Sequence, residues 1–79
     1  MLRLTGEVKR ETEKAILLNV TVSLNDGEPR SADIWLPKSR LHIAENGYDV
    51  DEWIVDARER ELSETRFRGE TVMISAVAV

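Results

Sequence analysis

The sequence predicts an α+β domain, a small antiparallel sheet of four to five strands with one α-helix packed on one face. Three observations carry this. Residues 14 to 24 alternate with a period of two, Ile16, Leu18, Val20, Val22 and Leu24 on one side and Ala15, Leu17, Asn19, Thr21 and Ser23 on the other. A single stretch, residues 51 to 62, repeats apolar side chains at helical spacing. The chain then ends on a run of β-branched residues and alanines, residues 71 to 79, with the composition of a strand.

In chain order, Leu2, Leu4 and Val8 fall on even positions, and Gly6 breaks the row as a bulge or a close backbone approach would. This reads as an edge strand over residues 2 to 11. The strand over residues 14 to 24 is apolar on both faces in its first half, the mark of a central strand covered by the helix near its start. Asn25-Asp26-Gly27 tolerates positive φ, so a hairpin returns the chain into residues 31 to 36, with Ile34 and Leu36 toward the core. Pro37 stops that strand, and Lys38-Ser39-Arg40-Leu41 is long enough only for a turn or one 3₁₀ turn. Asn46-Gly47 either closes a small hairpin between residues 41 to 43 and 48 to 50 or links directly to the helix. In the helix, Asp49 or Asp51 is placed to cap. Trp53, Ile54, Ala57 and Leu62 form the inner stripe, with Glu52, Asp56, Glu59, Arg60 and Ser63 opposite.

Seventy-nine residues support one core and one domain, residues 1 to 79. With 42% hydrophobic and 33% charged residues, the chain has enough apolar material to fold. The absence of cysteine excludes a disulfide scaffold, a zinc ribbon and a thiol nucleophile, and fits a reducing cytoplasm. No apolar stretch approaches the ~20 residues of a membrane span, so no membrane association is expected.

Charge is unevenly divided. Residues 1 to 44 hold seven basic and six acidic side chains, whereas residues 45 to 79 carry a net -5. The acid is densest from residue 45 to 64, where Glu45, Asp49, Asp51, Glu52, Asp56, Glu59, Glu61 and Glu64 face only Arg58 and Arg60. Such carboxylates either solvate the outer face of a helix or form a contact surface for a basic partner.

Catalysis finds little footing. His42 is the sole histidine, no Gly-x-Ser-x-Gly elbow accompanies it, and the four glycines are isolated, so no phosphate-cradling loop exists. Carboxylates on an exposed helix have no reason to titrate abnormally. The chain is therefore expected not to be an enzyme and to use no cofactor or metal. Two small basic-aromatic groups, Trp35 with Lys38 and Arg40, and Arg66-Phe67-Arg68, raise single-stranded nucleic-acid binding as an alternative. Phe67 reads first as a core plug between solvated arginines, and Trp35 first as a residue packed under the helix and second as an interface anchor. The overall charge of -4 makes direct nucleic-acid binding the weaker expectation.

Three segments, Glu11-Thr12-Glu13-Lys14-Ala15-Ile16-Leu17-Leu18, Trp35-Leu36-Pro37-Lys38-Ser39 and Asp51-Glu52-Trp53-Ile54, resemble in order and spacing a group of short proteins of unassigned function from bacteriophages and integrated mobile elements. The likeness covers residues 7 to 62 and assigns no catalytic residue. The chain departs from that pattern in its longer turn at residues 25 to 29 and in residues 65 to 79. The resemblance implies a phage or mobile-element origin and a place in the cytoplasm of a bacterial host. Small acidic proteins of this kind are similar in character to anti-CRISPR proteins, many of which block a nucleic-acid channel with carboxylates.

The expected function is therefore inhibition of a host nucleic-acid-handling complex, a basic protein or ribonucleoprotein, through the acidic helix and adjacent loop. The contact residues expected are Glu45, Asp49, Glu52, Asp56 and Glu59, with Trp53 as an anchor if the core leaves its ring free. The competing nucleic-acid reading rests on Trp35, Lys38, Arg66, Phe67 and Arg68. A third class is a structural or assembly subunit, a homodimer in which the strand over residues 72 to 79 pairs across a twofold axis.

Overall fold

The alternation around Leu18 becomes the longest strand pair of the molecule. In the computed structural model, which describes residues 1 to 79, the strands are β1 (Leu2–Leu4), β2 (Glu7–Glu11), β3 (Ala15–Ser23), β4 (Pro29–Pro37), β5 (Leu41–Ala44), β6 (Gly47–Val50), β7 (Met73–Ile74) and β8 (Val77–Ala78). A 3₁₀ turn, Lys38–Arg40, precedes β5, and one helix, α1 (Glu52–Glu64), follows β6. β3 and β4 run antiparallel in unbroken register from Ala15 opposite Pro37 to Ser23 opposite Pro29. Ile16, Leu18, Val20 and Val22 all turn inward, as do Ala32, Ile34 and Leu36 from β4.

The α+β class and the single helix stand, but the strands form two sheets of four rather than one sheet of four to five. One sheet has the order β5-β6-β1-β8; in the other, β3 pairs with β4 on one edge and with β2 and then β7 on the other. The chain passes between the sheets where a strand is interrupted. Residues 2 to 11 are therefore two strands rather than one edge strand, β1 lying inside the first sheet and β2 on an edge of the second. Gly6 is the break. Its φ of +154° and the carbonyl of Asn19, which occupies the space where a Cβ would project, permit no side chain. Residues 71 to 79 divide in the same way, β7 joining β3 and β8 joining β1.

The hairpin at Asn46-Gly47 forms, pairing β5 with β6 from Leu41 opposite Val50 to Ala44 opposite Gly47. Helix α1 closes the open side of the core with Ile54, Val55 and Leu62, which join Leu4, Val50, Val72, Ile74 and the inward rows of β3 and β4. Asp51 takes the N-cap position in extended conformation without a side-chain cap bond. At the other end Thr65 donates to the Glu61 carbonyl through N–H at 3.0 Å and through Oγ1 at 2.7 Å. Ile54 and Leu62 face inward as expected, but Val55 is buried in place of Trp53, which is 58% exposed. No helix is long and apolar enough to cross a membrane.

Candidate functional site

The carboxylates between residues 45 and 64 do not form one surface. Asp49 lies on β6 directly opposite Arg3 of β1, where Arg3 donates from Nε to Oδ1 at 2.7 Å and from Nη2 to Oδ2 at 3.1 Å. The hydrogen bond from Arg3 holds the Asp49 carboxyl below the usual carboxylate range. Desolvation opposes this, and the charges of Arg3, His42 and the chain amino terminus reinforce it. Glu59 is half-buried and accepts the Ile74 N–H at 2.8 Å, tying α1 to β7. Glu61 accepts from Arg58 at 2.6 Å. These three serve the fold.

Glu45 is exposed at the tip of the β5–β6 hairpin, separated from the start of α1 by the four residues of β6, roughly 13 Å of strand. It does not share a surface with the helix. Of the expected contact residues, Glu52, Trp53 and Asp56 remain together, all exposed within one turn on the outer side of α1. Arg60 follows on the same face, and neither Asp56 nor Glu64 comes within ion-pair distance of it.

Trp53 is the distinctive member. A tryptophan on a short helix ordinarily faces the core, but here Ile54 and Val55 fill that side and the indole is directed to solvent. Arg40, from the 3₁₀ turn, places its guanidinium 6.0 Å from the ring centroid. At an exposed site such a contact is worth about 0.5–1 kcal/mol, enough to bias the ring's orientation. Nothing in the sequence marks this pair, since thirteen residues separate the two and they meet only because the 3₁₀ turn and the helix N-terminus are adjacent in space.

The basic-aromatic residues are split between the two ends of the β3–β4 hairpin. Trp35 is 39% exposed, on the outer side of β4 opposite Leu17, and its carbonyl accepts from Arg58 Nε at 2.9 Å. Lys38 is paired with Glu11 at 2.5 Å. Arg66, Phe67 and Arg68 lie beyond the helix, where Phe67 packs partly against the core, donates its N–H to the Leu62 carbonyl at 2.8 Å and carries Arg66 5.4 Å from its ring. The following residues, Glu70 and Thr71, bond to Asn25 at the β3–β4 turn. Leu17 and Asn25 are eight residues apart along one strand direction, roughly 26 Å, so the two groups are not one platform.

The C-terminal residues are bound into both sheets rather than forming one free strand. The outer edge of β8 is open, and Val77 is 66% exposed. A second feature, not anticipated from the sequence, is a groove of about 300 Å³ between β2 and β5, lined by Val8, Ile16, Leu41, Ile43 and Tyr48 together with the paired Glu11 and Lys38. Compared with protein-family models, with curated proteins and with solved structures, the chain matches none.

Proposed function

We propose that this protein is a non-enzymatic binding module that docks on a basic surface of a nucleic-acid-handling complex through the outer face of α1. Trp53 is the anchor, and Glu52 and Asp56 supply the complementary charge. The observation that carries the reading is an indole 58% exposed beside two carboxylates that have no ion-pair partner in the chain. An aromatic ring that desolvates on contact, next to unpaired charges, is the composition of a binding hot spot. Side chains four apart on a helix lie about 5–6 Å from each other, so both carboxylates can enter one groove lined by lysine and arginine. The uncompensated acidic charge of the second half of the chain steers the approach. The same reading assigns the protein to a phage or mobile element as an inhibitor of anti-CRISPR type, in which the helix occupies a groove that otherwise receives DNA.

The test is the anisotropy of a labelled target duplex bound to purified CRISPR effector complexes, with the protein added. Displacement by the wild type, lost in Trp53→Ala and in the pair Glu52→Lys with Asp56→Lys, supports the reading. Equal displacement by those variants places the contact elsewhere. Binding of the protein itself to a labelled single-stranded oligonucleotide, weakening between about 50 mM and about 200 mM salt, would favour the nucleic-acid alternative.

A further inference from the structure

β5 is an outer strand of its sheet, and its second edge pairs with nothing in the chain. The hairpin closes at Ala44 opposite Gly47, so His42 and Ala44 turn their main-chain groups toward β6 and Leu41 and Ile43 turn theirs outward. The Leu41 N–H accordingly bonds the Lys38 carbonyl rather than β6. The Leu41 carbonyl and both main-chain groups of Ile43 are left at the open edge. An open edge of this kind is a template for another strand.

The side chains at this edge are apolar where a free edge would be expected to be guarded. Ile43 is 83% exposed, more than any other large apolar residue, and it stands on the core-facing side beside Leu41 at the lip of the groove floored by Val8, Ile16 and Tyr48. The charged side chains that line the same groove, Glu11 and Lys38, are paired with each other.

The flanking charges identify the occupant. Arg40 immediately precedes the strand and Glu45 immediately follows it, and neither is engaged in an ion pair within the chain. A strand with opposite charges at its two ends complements its own antiparallel copy, because each end then meets the other's opposite. The edge of β8 is also open, but residues 75 to 79 carry no charged side chain and provide no such complementarity.

We propose that the β5 edge is a homodimer interface in which a second copy pairs its own β5 antiparallel about a twofold axis at His42. In that register Ile43 faces the second copy's Leu41 and covers its groove. The Ile43 N–H donates to the Leu41 carbonyl of the second copy, and reciprocally. Arg40 falls opposite the second copy's Ala44, one residue from its Glu45, so opposite charges gather at both ends. The outer face of α1 is not paired in this dimer, and the two surfaces meet only at Arg40, whose guanidinium lies 6.0 Å from the Trp53 ring centroid.

Sedimentation of the full chain from about 1 μM to about 1 mM reads the association directly. A concentration-dependent dimer is expected. Ile43→Lys should weaken it by ~10-fold or more while leaving the circular dichroism spectrum unchanged, and the melting midpoint unchanged at concentrations where both proteins are monomers, because the residue contributes almost nothing to the core. Arg40→Glu alone should weaken the dimer, and adding Glu45→Arg should restore it. A strict monomer throughout the range, a dimer indifferent to Ile43→Lys, or failure of the double charge reversal to restore association would each overturn the proposal.

Discussion

Arg3 and Asp49 face each other across β1 and β6 in a two-bond contact, 2.7 Å and 3.1 Å, that links residues 46 positions apart in the chain. The pair fastens the chain's first strand to the hairpin immediately before the helix, and it makes part of the stability depend on pH. The native Asp49 carboxyl titrates below its ordinary value, so the contribution is complete above the unfolded value near pH ~4 and is lost as pH falls through the native one. Asp49→Asn should therefore be less stable than the wild type at neutral pH, and the gap in melting midpoint should close as the pH is lowered toward ~2. A gap that stays constant with pH would assign the pair no electrostatic role.

Glu59 tests the distinction between carboxylates that hold the fold and those that are free to bind. Its Oε2 accepts the Ile74 N–H at 2.8 Å where β7 meets the helix. Glu59→Ala leaves that N–H without its partner and should cost about 1–3 kcal/mol, whereas Glu59→Gln keeps an acceptor and should cost less. Denaturant midpoints measure both. A charge reversal at Glu59 would therefore weaken the fold itself, and the docking test belongs on Glu52 and Asp56.

Much of the architecture is legible from residue pattern alone. The inward rows of β3 and β4, the Asn25-Asp26-Gly27 turn and the 3₁₀ turn after Pro37 occupy their expected places, and of the two readings open at Asn46-Gly47 the chain takes the hairpin. A period of two reports which face of a strand is apolar but not which sheet the strand joins. Residues 2 to 11 and 71 to 79 therefore read as single strands, although each divides between two sheets.

The candidate site was less legible, for two physical reasons. Trp53 and Val55 flank Ile54, and either could extend the apolar stripe; the choice of Val55 depends on the shape of the space beside the strands, which no hydrophobicity count contains. The partners of Asp49 and Glu59 are an arginine at the chain start and a backbone N–H near its end. Contacts at that separation leave no local signature, so engaged and free carboxylates look alike in the sequence.

Gly6 and Gly27 both have positive φ and predict different costs for the same substitution. At Gly27, with φ +76°, nothing lies within reach of an added Cβ, so Gly27→Ala bears only the conformational penalty, about 1 kcal/mol. At Gly6 an added methyl meets the Asn19 carbonyl, and β2 must separate from β3 to admit it. Gly6→Ala should cost about 3 kcal/mol or more, a fall in melting midpoint of ~12 °C or greater for a domain of this size. Equal effects at the two positions would show that the close approach of β2 to β3 is not rigid.

Trp53 and Ile54 are chain neighbours with opposite expectations. Ile54 is 1% exposed among Leu4, Val50 and the other core residues, and Ile54→Ala should cost about 2–5 kcal/mol because the emptied volume cannot be refilled by its closely packed surroundings. Trp53 is the larger side chain, and size alone would predict the greater loss. Its ring is mostly in solvent, however, and its distinctive contact within the chain is the Arg40 guanidinium, so Trp53→Ala should cost no more than about 1 kcal/mol. Urea midpoints of the two variants separate the cases directly. If Trp53→Ala destabilises the domain as much as Ile54→Ala does, the indole belongs to the core, and the docking surface on α1 loses its anchor.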